Sequence, residues 1–358
     1  YQLFAQNDKV VTCFSQGVNQ SSEGTNKVNA IINCHLATGR IGKPGAGPFS
    51  LTGQPNAMGG REVGGLATML AAHMEIGNPA HRELVQRFWQ SPAMASEQGL
   101  KAVDMFDAVA NGKIKAIWVM GTNPVVSMPD ANKVANALEN CPFVVVSDIM
   151  VDTETARFAH VKLPALGWGE KDGTVTNSER RISRQRAFLP APGEARADWW
   201  HMAEVGKRMG HPSVFDYRST SDIFAEHAAL SAFENNGTRD FDLGEYASLS
   251  PKDYDQFQPT LWPRRKGQKG VSQRFFAGGH FFTPDGRANF VATPTDAETA
   301  LAQPTTLRLN TGRVRDHWHT MTRTGKSAAL SAHIAEPYCE ISPAQAAKVG
   351  VRTAELVE

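Results

Sequence analysis

The sequence predicts an α/β fold built on parallel sheets, and three observations carry that reading. Residues 116–120 (AIWVM) and 143–147 (FVVVS) are continuous apolar runs, as strands covered on both faces require. Between them, residues 130–139 have helical spacing with Asp130 as N-cap, so the stretch reads as a βαβ unit. Near the start, a β-branched and aromatic run at 9–14 leads through small polar residues 15–24 into an amphipathic helix. The apolar face of that helix is Val28, Ile31, Ile32, His35 and Leu36, and it stops at Gly39.

Residues 39–65 hold nine glycines in 27 positions, against 31 in 358 overall. No three-residue period makes this collagen-like, and Pro44, Pro48 and Pro55 exclude a regular helix, so an ordered loop is expected. A helix should resume near Val63, with Leu66, Leu70 and Met74 on one side, and another should lie near 100–111. The runs at 10–20 and 116–126 both pass from an apolar strand into G-x-N, which hints at two related α/β subdomains. Residues 212–270 look like a surface connection with a basic cluster at Arg264, Arg265, Lys266 and Lys269. Turn residues within 275–293 suggest a hairpin or short meander, residues 307–310 a strand, and SPAQAAKVG a helix.

Composition excludes several classes. Lys plus Arg is 37 against 36 for Asp plus Glu, so a net charge of +1 gives no global field for nucleic acid or an anionic membrane. No apolar run approaches the roughly 18 residues of a membrane span. The cysteines, Cys13, Cys34, Cys141 and Cys339, form no C-x-x-C pair, and such sparse usage fits a reduced compartment. Cys13 and Cys34 are expected as small buried residues.

Four stretches could carry chemistry. In GQPNAMGGREVGG, residues 53–65, Gln54, Asn56 and Arg61 stand beside flexible backbone where amides and a guanidinium can converge on an oxygen-rich ligand. Arg61 offers a planar fork of donors suited to a trigonal oxyanion; the alternative is an exposed arginine paired with Glu62 or a carbonyl. No G-x-G-x-x-G or Walker motif is present. Asp148 follows the second strand of the βαβ unit, where open sheets meet ligands, and could accept from two ribose hydroxyls, from guanine N1 and N2, or cap a helix at TETARFA. Residues 311–327 gather Arg313, Arg315, His317, His319, Arg323 and Lys326 in what reads as a polyanion-facing loop. There His317 and His319 would share a strand face, as metal ligands or, better, as hydrogen-bonding groups. The arginines of 177–186 form either a solvated charged face or a clasp for phosphates.

Taken together, these blocks resemble the molybdopterin oxidoreductases of the dimethyl sulfoxide reductase type, nearest the assimilatory nitrate reductase branch. The likeness spans nearly the whole chain and rests on residues 15–65, KDGTVTNSERR at 171–181, PGEARADWW at 192–200 and TGRVRDHWHTMTRTGKS at 311–327. It implies Rossmann-like parallel-sheet subdomains at 1–60 and 61–210, a connecting region at 211–302, and the start of a dinucleotide-binding β-barrel at 303–358. The implied cofactor is molybdenum bis(molybdopterin guanine dinucleotide). By motif position, Gly17, Asn19 and Gln20 would lie near one pterin, with Gln54 and Arg61 at the open side of the metal. Gly121, Asn123 and Asp148 would hold a guanosine end; Lys171, Asp172, Asn177 and Arg180 would line the same or the neighbouring dinucleotide. Thr311, Arg313, His317, Trp318, His319 and Thr320 would open the barrel.

The implied reaction is oxygen-atom transfer from nitrate to reduced molybdenum, giving nitrite, with two electrons and two protons carrying the oxygen away as water. The family's 4Fe-4S cysteine motif and its molybdenum-ligating cysteine do not occur here, so this looks like an internal portion that contributes no metal ligand and binds no cluster. The electron donor would be ferredoxin, flavodoxin or an NADH-dependent reductase, and the assimilatory likeness implies the cytoplasm. A periplasmic or respiratory nitrate reductase or a formate dehydrogenase would share most motifs; a non-catalytic nucleotide-binding or assembly module is the reading from another class.

Overall fold

The structure is a computed structural model that describes residues 1–268, 274–294, 307 and 309–357. After α1 (Gln2–Gln6), strand β1 (Val11–Phe14) runs into the short helix α2 (Gln16–Asn19) and the longer α3 (Gly24–Ala37). The chain then returns as β2 (Gly47–Ser50), parallel to β1 with Val11 opposite Gly47. The expected ordered loop thus contains a strand, and further on a helix, α4 (Ala57–Glu62). No helix resumes at Val63. Residues 63–74 turn back on themselves, with Ala72 and His73 at positive φ and an antiparallel bridge between Met69 and Glu75. Gly64 permits the reversal: its φ is +74°, and a Cβ there would lie 2.6 Å from the Ala71 nitrogen.

Helix α5 (Pro79–Trp89) starts where Asn78 accepts from the Ala80 nitrogen and Pro79 sets φ at the first position. The expected helix near 100–111 is α6 (Ala102–Ala110). Then comes the expected unit: β3 (Ala116–Met120), α7 (Pro124–Ser127), α8 (Ala131–Glu139) and β4 (Phe143–Asp148), the strands parallel, with Asp130 accepting from the Lys133 nitrogen. A third parallel strand, β5 (Val161–Pro164), extends the sheet beside β4. Its core includes Leu138 and Val144, both fully buried, each worth about 1.5–3 kcal/mol by removal from water.

An antiparallel sheet follows, which the sequence does not announce: β6 (Gly173–Thr176), β7 (Arg181–Gln185) and, across a long excursion, β8 (Thr260–Leu261). The excursion carries α9 (Asp198–Arg208), α10 (Thr220–Ala232) and α11 (Pro251–Asp255). Residues 212–270 are therefore not a surface connection among the described positions, because Phe241, Leu243 and Trp262 are buried with Met74, Val85 and Ile182 in one core. Nor is 177–186 wholly a solvated charged face. Arg184 is buried, its guanidinium 2.6 Å from Asp172 and 3.9 Å from the centre of the Tyr254 ring.

Residues 275–293 form turns without strands, closed by stacking of Phe276 on Phe281 at 4.7 Å and by the Phe281 nitrogen donating to Gly286. Lys269 and Arg308 lie outside the described residues, and Leu307, Leu309 and Asn310 join no strand. Between 309 and 357 there are only the helices α12 (Ala328–Ser331) and α13 (Pro343–Val349), the latter being the expected SPAQAAKVG helix, with short turns. No sheet closes among the described residues, so the opening strands of a barrel are not seen. Cys13 and Cys34 are exposed rather than buried, because β1 and α3 turn those positions away from the little packing this first unit has.

Candidate functional site

Both parallel sheets present their carboxyl ends as loops, the place where open α/β sheets meet ligands. At the first, Ser15 Oγ donates to the Leu51 carbonyl at 2.9 Å, tying the end of β1 to the end of β2. Gly17, Asn19 and Gln20 follow β1 and Gln54 follows β2, all exposed on this edge. At the second, Gly121 has a φ of +60° and open space where a Cβ would stand.

Asn123 is buried and fully used. Its Oδ1 accepts from the Thr155 hydroxyl at 2.7 Å, and its Nδ2 donates to Glu154 at 2.8 Å and to the Thr322 hydroxyl at 3.1 Å. The bond from Asn123 is the main reason the Glu154 carboxyl titrates below its ordinary range. Asp148 accepts from the Met150 nitrogen through Oδ1 and has no hydrogen bond at Oδ2 among the described residues. It caps a turn, not a helix, since TETARFA forms a single 3-10 turn, Ala156–Phe158, whose first nitrogen donates to the Thr153 hydroxyl.

The stretch 317–324 joins the two edges. Thr322 reaches Asn123 on the β3 edge, while a Cβ built on Gly53, beyond β2, would lie 3.6 Å from Trp318 Cη2. Thr324 Oγ1 holds the stretch in shape, 3.2 Å from both His317 Nδ1 and the Trp318 nitrogen, and Thr320 bonds Thr322 at 2.8 Å. His317 is buried, but His319 is exposed at a φ of +43° with its ring against Trp318. The two histidines therefore do not share a strand face. Among the described residues no group of three or more His, Cys, Asp and Glu is placed to hold a metal ion.

Thr311 and Arg313 are exposed, as is Arg61 on α4. The side chains of Arg61, Arg313, Arg323 and Lys326 make no hydrogen bond or ion pair with another described residue. Exposed guanidinium and ammonium groups without a carboxylate partner suit a dinucleotide polyanion. Arg61 does not pair with Glu62. That carboxylate turns inward, accepting from Thr176 Oγ1 and Trp262 Nε1, both at 2.7 Å, and burial raises its pKa.

Four expected residues stand apart, at the ends of the strands of the antiparallel sheet. Lys171 pairs with Asp198, Asp172 with Arg184, and Asn177 Oδ1 receives the Glu179 and Arg181 nitrogens in the β6–β7 turn. Arg180 donates to the Trp262 carbonyl at 2.8 Å and lies 3.9 Å from the centre of the Phe275 ring. Sequence reasoning passed over Thr322 and Glu154, and took Glu62 only as a surface partner for Arg61; the signal available for it was a carboxylate directly after the candidate arginine inside a glycine-rich loop.

Residues 1–208 match the family described as molybdopterin oxidoreductase, and residues 307–358 match the molydopterin dinucleotide binding domain. A nitrate reductase of Klebsiella oxytoca is 52% identical over 359 residues, covering 99% of this chain and 40% of that protein. One from Shewanella frigidimarina is 52% identical over 100% of this chain and 38% of its own length, and the assimilatory nitrate reductase catalytic subunit of Bacillus subtilis is 34% identical over 99% and 49%. The chain thus spans about two fifths of the length of the first two relatives. The cofactor this segment serves is molybdenum bis(molybdopterin guanine dinucleotide), and the open edges and unspent cations fit it. On the match over residues 1–208 and the identity along its whole length, the chain belongs to the molybdopterin oxidoreductase family.

Proposed function

We propose that this chain is the cofactor-clasping and anion-capturing part of a nitrate reductase catalytic subunit, reducing nitrate to nitrite by oxygen-atom transfer in cytoplasmic nitrate assimilation. Supporting it most is the bridge of Trp318 and Thr322 across two sheet edges that carry Gly17, Asn19, Gln20, Gln54, Gly121, Asn123 and Asp148. The dinucleotide phosphates meet Arg313, Arg323 and Lys326, and Asp148 Oδ2 accepts from a guanine or ribose end. When bound, the molybdenum group supplies the redox chemistry. Parts 1–60 and 61–210 hold it, and 303–358 opens the closing barrel of the complete enzyme. Electrons come from ferredoxin, flavodoxin or an NADH-dependent reductase. No helix among the described residues is long and apolar enough to cross a membrane.

Arg61 captures nitrate. Its fork makes two charge-assisted hydrogen bonds to a trigonal anion, each worth about 1.5–3 kcal/mol, so Arg61→Ala in the full-length, cofactor-loaded enzyme loses on the order of ten- to a hundredfold in kcat/KM. Arg61→Lys recovers part of it. Steady-state kinetics with reduced viologen and nitrate measure both; an unchanged efficiency for Arg61→Ala removes Arg61 from the site. Formate in place of nitrate separates a formate dehydrogenase, and molybdenum and guanine nucleotide released on denaturation separate a non-catalytic module.

A further inference from the structure

Helix α4 has six residues, two of them glycine, and no isolated helix of that composition is stable in water. Its pitch is imposed from outside. Asn56, before its first turn, accepts the Thr176 nitrogen at 2.8 Å, and Glu62, its last residue, accepts the Thr176 hydroxyl at 2.7 Å. Both ends are thus fastened to one residue of β6, and the Trp262 indole adds a second donor to Glu62. Gly59 is required between them, since a Cβ there would lie 2.2 Å from Asn56 Oδ1. Arg61 sits on this fastened turn, exposed and without a partner among the described residues.

Beside Glu62 lies a cavity of about 40 Å³, lined by Thr174, Thr176, Ile182, Phe224 and His227 among others. A volume of about 10–15 Å³ on this measure admits a water, provided polar partners face it. Glu62 and His227 both line it: among the described residues His227 Nε2 is buried with no hydrogen-bond partner, and each Glu62 oxygen accepts a single hydrogen bond. A dry cavity would leave that imidazole nitrogen unsatisfied, which native interiors rarely tolerate.

We propose that Glu62 is the positioning residue for Arg61, and that the cavity holds water linking Glu62 to His227 on α10. The inference rests on reading Arg61 as the anion-binding group. It is tested in the full-length, cofactor-loaded enzyme with Glu62→Gln, which preserves shape and an acceptor for Trp262, and with the isosteric Thr176→Val. Each raises KM for nitrate several-fold, on the order of fivefold, whereas Glu62→Gln added to Arg61→Ala changes KM less than about twofold, as residues acting in series do. The nitrate-induced rise in melting temperature falls in parallel, a readout independent of turnover. A crystal structure of the wild-type enzyme shows the cavity water within hydrogen-bond distance of both Glu62 and His227.

If Arg61→Ala raises KM while Glu62→Gln and Thr176→Val leave it unchanged, the positioning role is overturned. An empty cavity in the crystal overturns the water link. An unchanged KM for Arg61→Ala overturns the anion reading instead, and the wild-type cavity then decides the water link by itself.

Discussion

Residues 11–50 and 116–148 follow the same order of strand, short helix, longer helix and parallel strand, yet fill it differently. In the second unit, Val119, Val134, Leu138, Val144 and Val146 are buried together. In the first, Val11 is 49% exposed and Phe49 40%, and the buried side chains are polar. His35 is fully buried, sharing a 2.8 Å hydrogen bond with Thr12 Oγ1; Arg40 donates to the carbonyls of Phe4 and Asn7 and lies over the Phe4 ring. His35 Nδ1 and Arg40 Nε have no hydrogen-bond partner among the described residues. One topology is thus closed by apolar packing in one place and by hydrogen bonds in the other, and only the first kind of closure is self-sufficient in water.

Hydrogen exchange on the 358-residue chain sharpens that contrast most. Amides of β1 and β2 exchange on the order of a hundredfold faster than those of β3 and β4, because little apolar surface must be exposed to open them. Equal protection would break the comparison. Next, Leu138→Ala lowers unfolding stability by about 2–5 kcal/mol in urea titration, the range for a buried leucine that leaves a cavity. A third effect concerns a buried base outside both units. Burial, helped by the nearby His73, lowers the pKa of His227 to about 4. The unfolded chain binds a proton there near the usual 6.5 and the folded one does not, so stability falls as pH drops through that interval, by about 2 kcal/mol between pH 6.5 and 5. The urea midpoint should drop over this range in the wild type and drop less in His227→Gln. Smallest is Phe49→Ala, expected to cost about 1 kcal/mol or less because the residue is already 40% exposed; a loss like that of Leu138→Ala would show that the first unit has a core after all.

The same contrast explains what the amino acids disclose in advance. Residues 116–148 are legible because burial on both faces leaves a continuous apolar signature in both strands, and helical spacing in α8. Strand β2 is not, since GPFS offers a glycine at φ +124° and a proline where β-branched residues would be looked for. Helix α4 is equally silent: AMGGRE has no helical periodicity, and its conformation comes from Asn56 and Glu62 meeting a strand more than a hundred positions away. Strand β7 conceals itself differently, because RISRQ buries an arginine against a tyrosine ring and so reads as solvent-facing. The glycines and asparagines that follow the parallel strands could be placed at the sheet edges from position alone. The Thr322 contact could not, being a hydroxyl in a stretch with no regular period.

Trp318 and Thr322 lie within one short stretch of chain, but each faces a different leaf of the molecule. A single nick between them would release both leaves at once, while neither leaf loses a strand or a core residue. On the proposed role of this stretch, limited proteolysis there in the cofactor-loaded enzyme should release the dinucleotide before the fold is lost, so that retention and stability, measured on the same sample, part company at one latch.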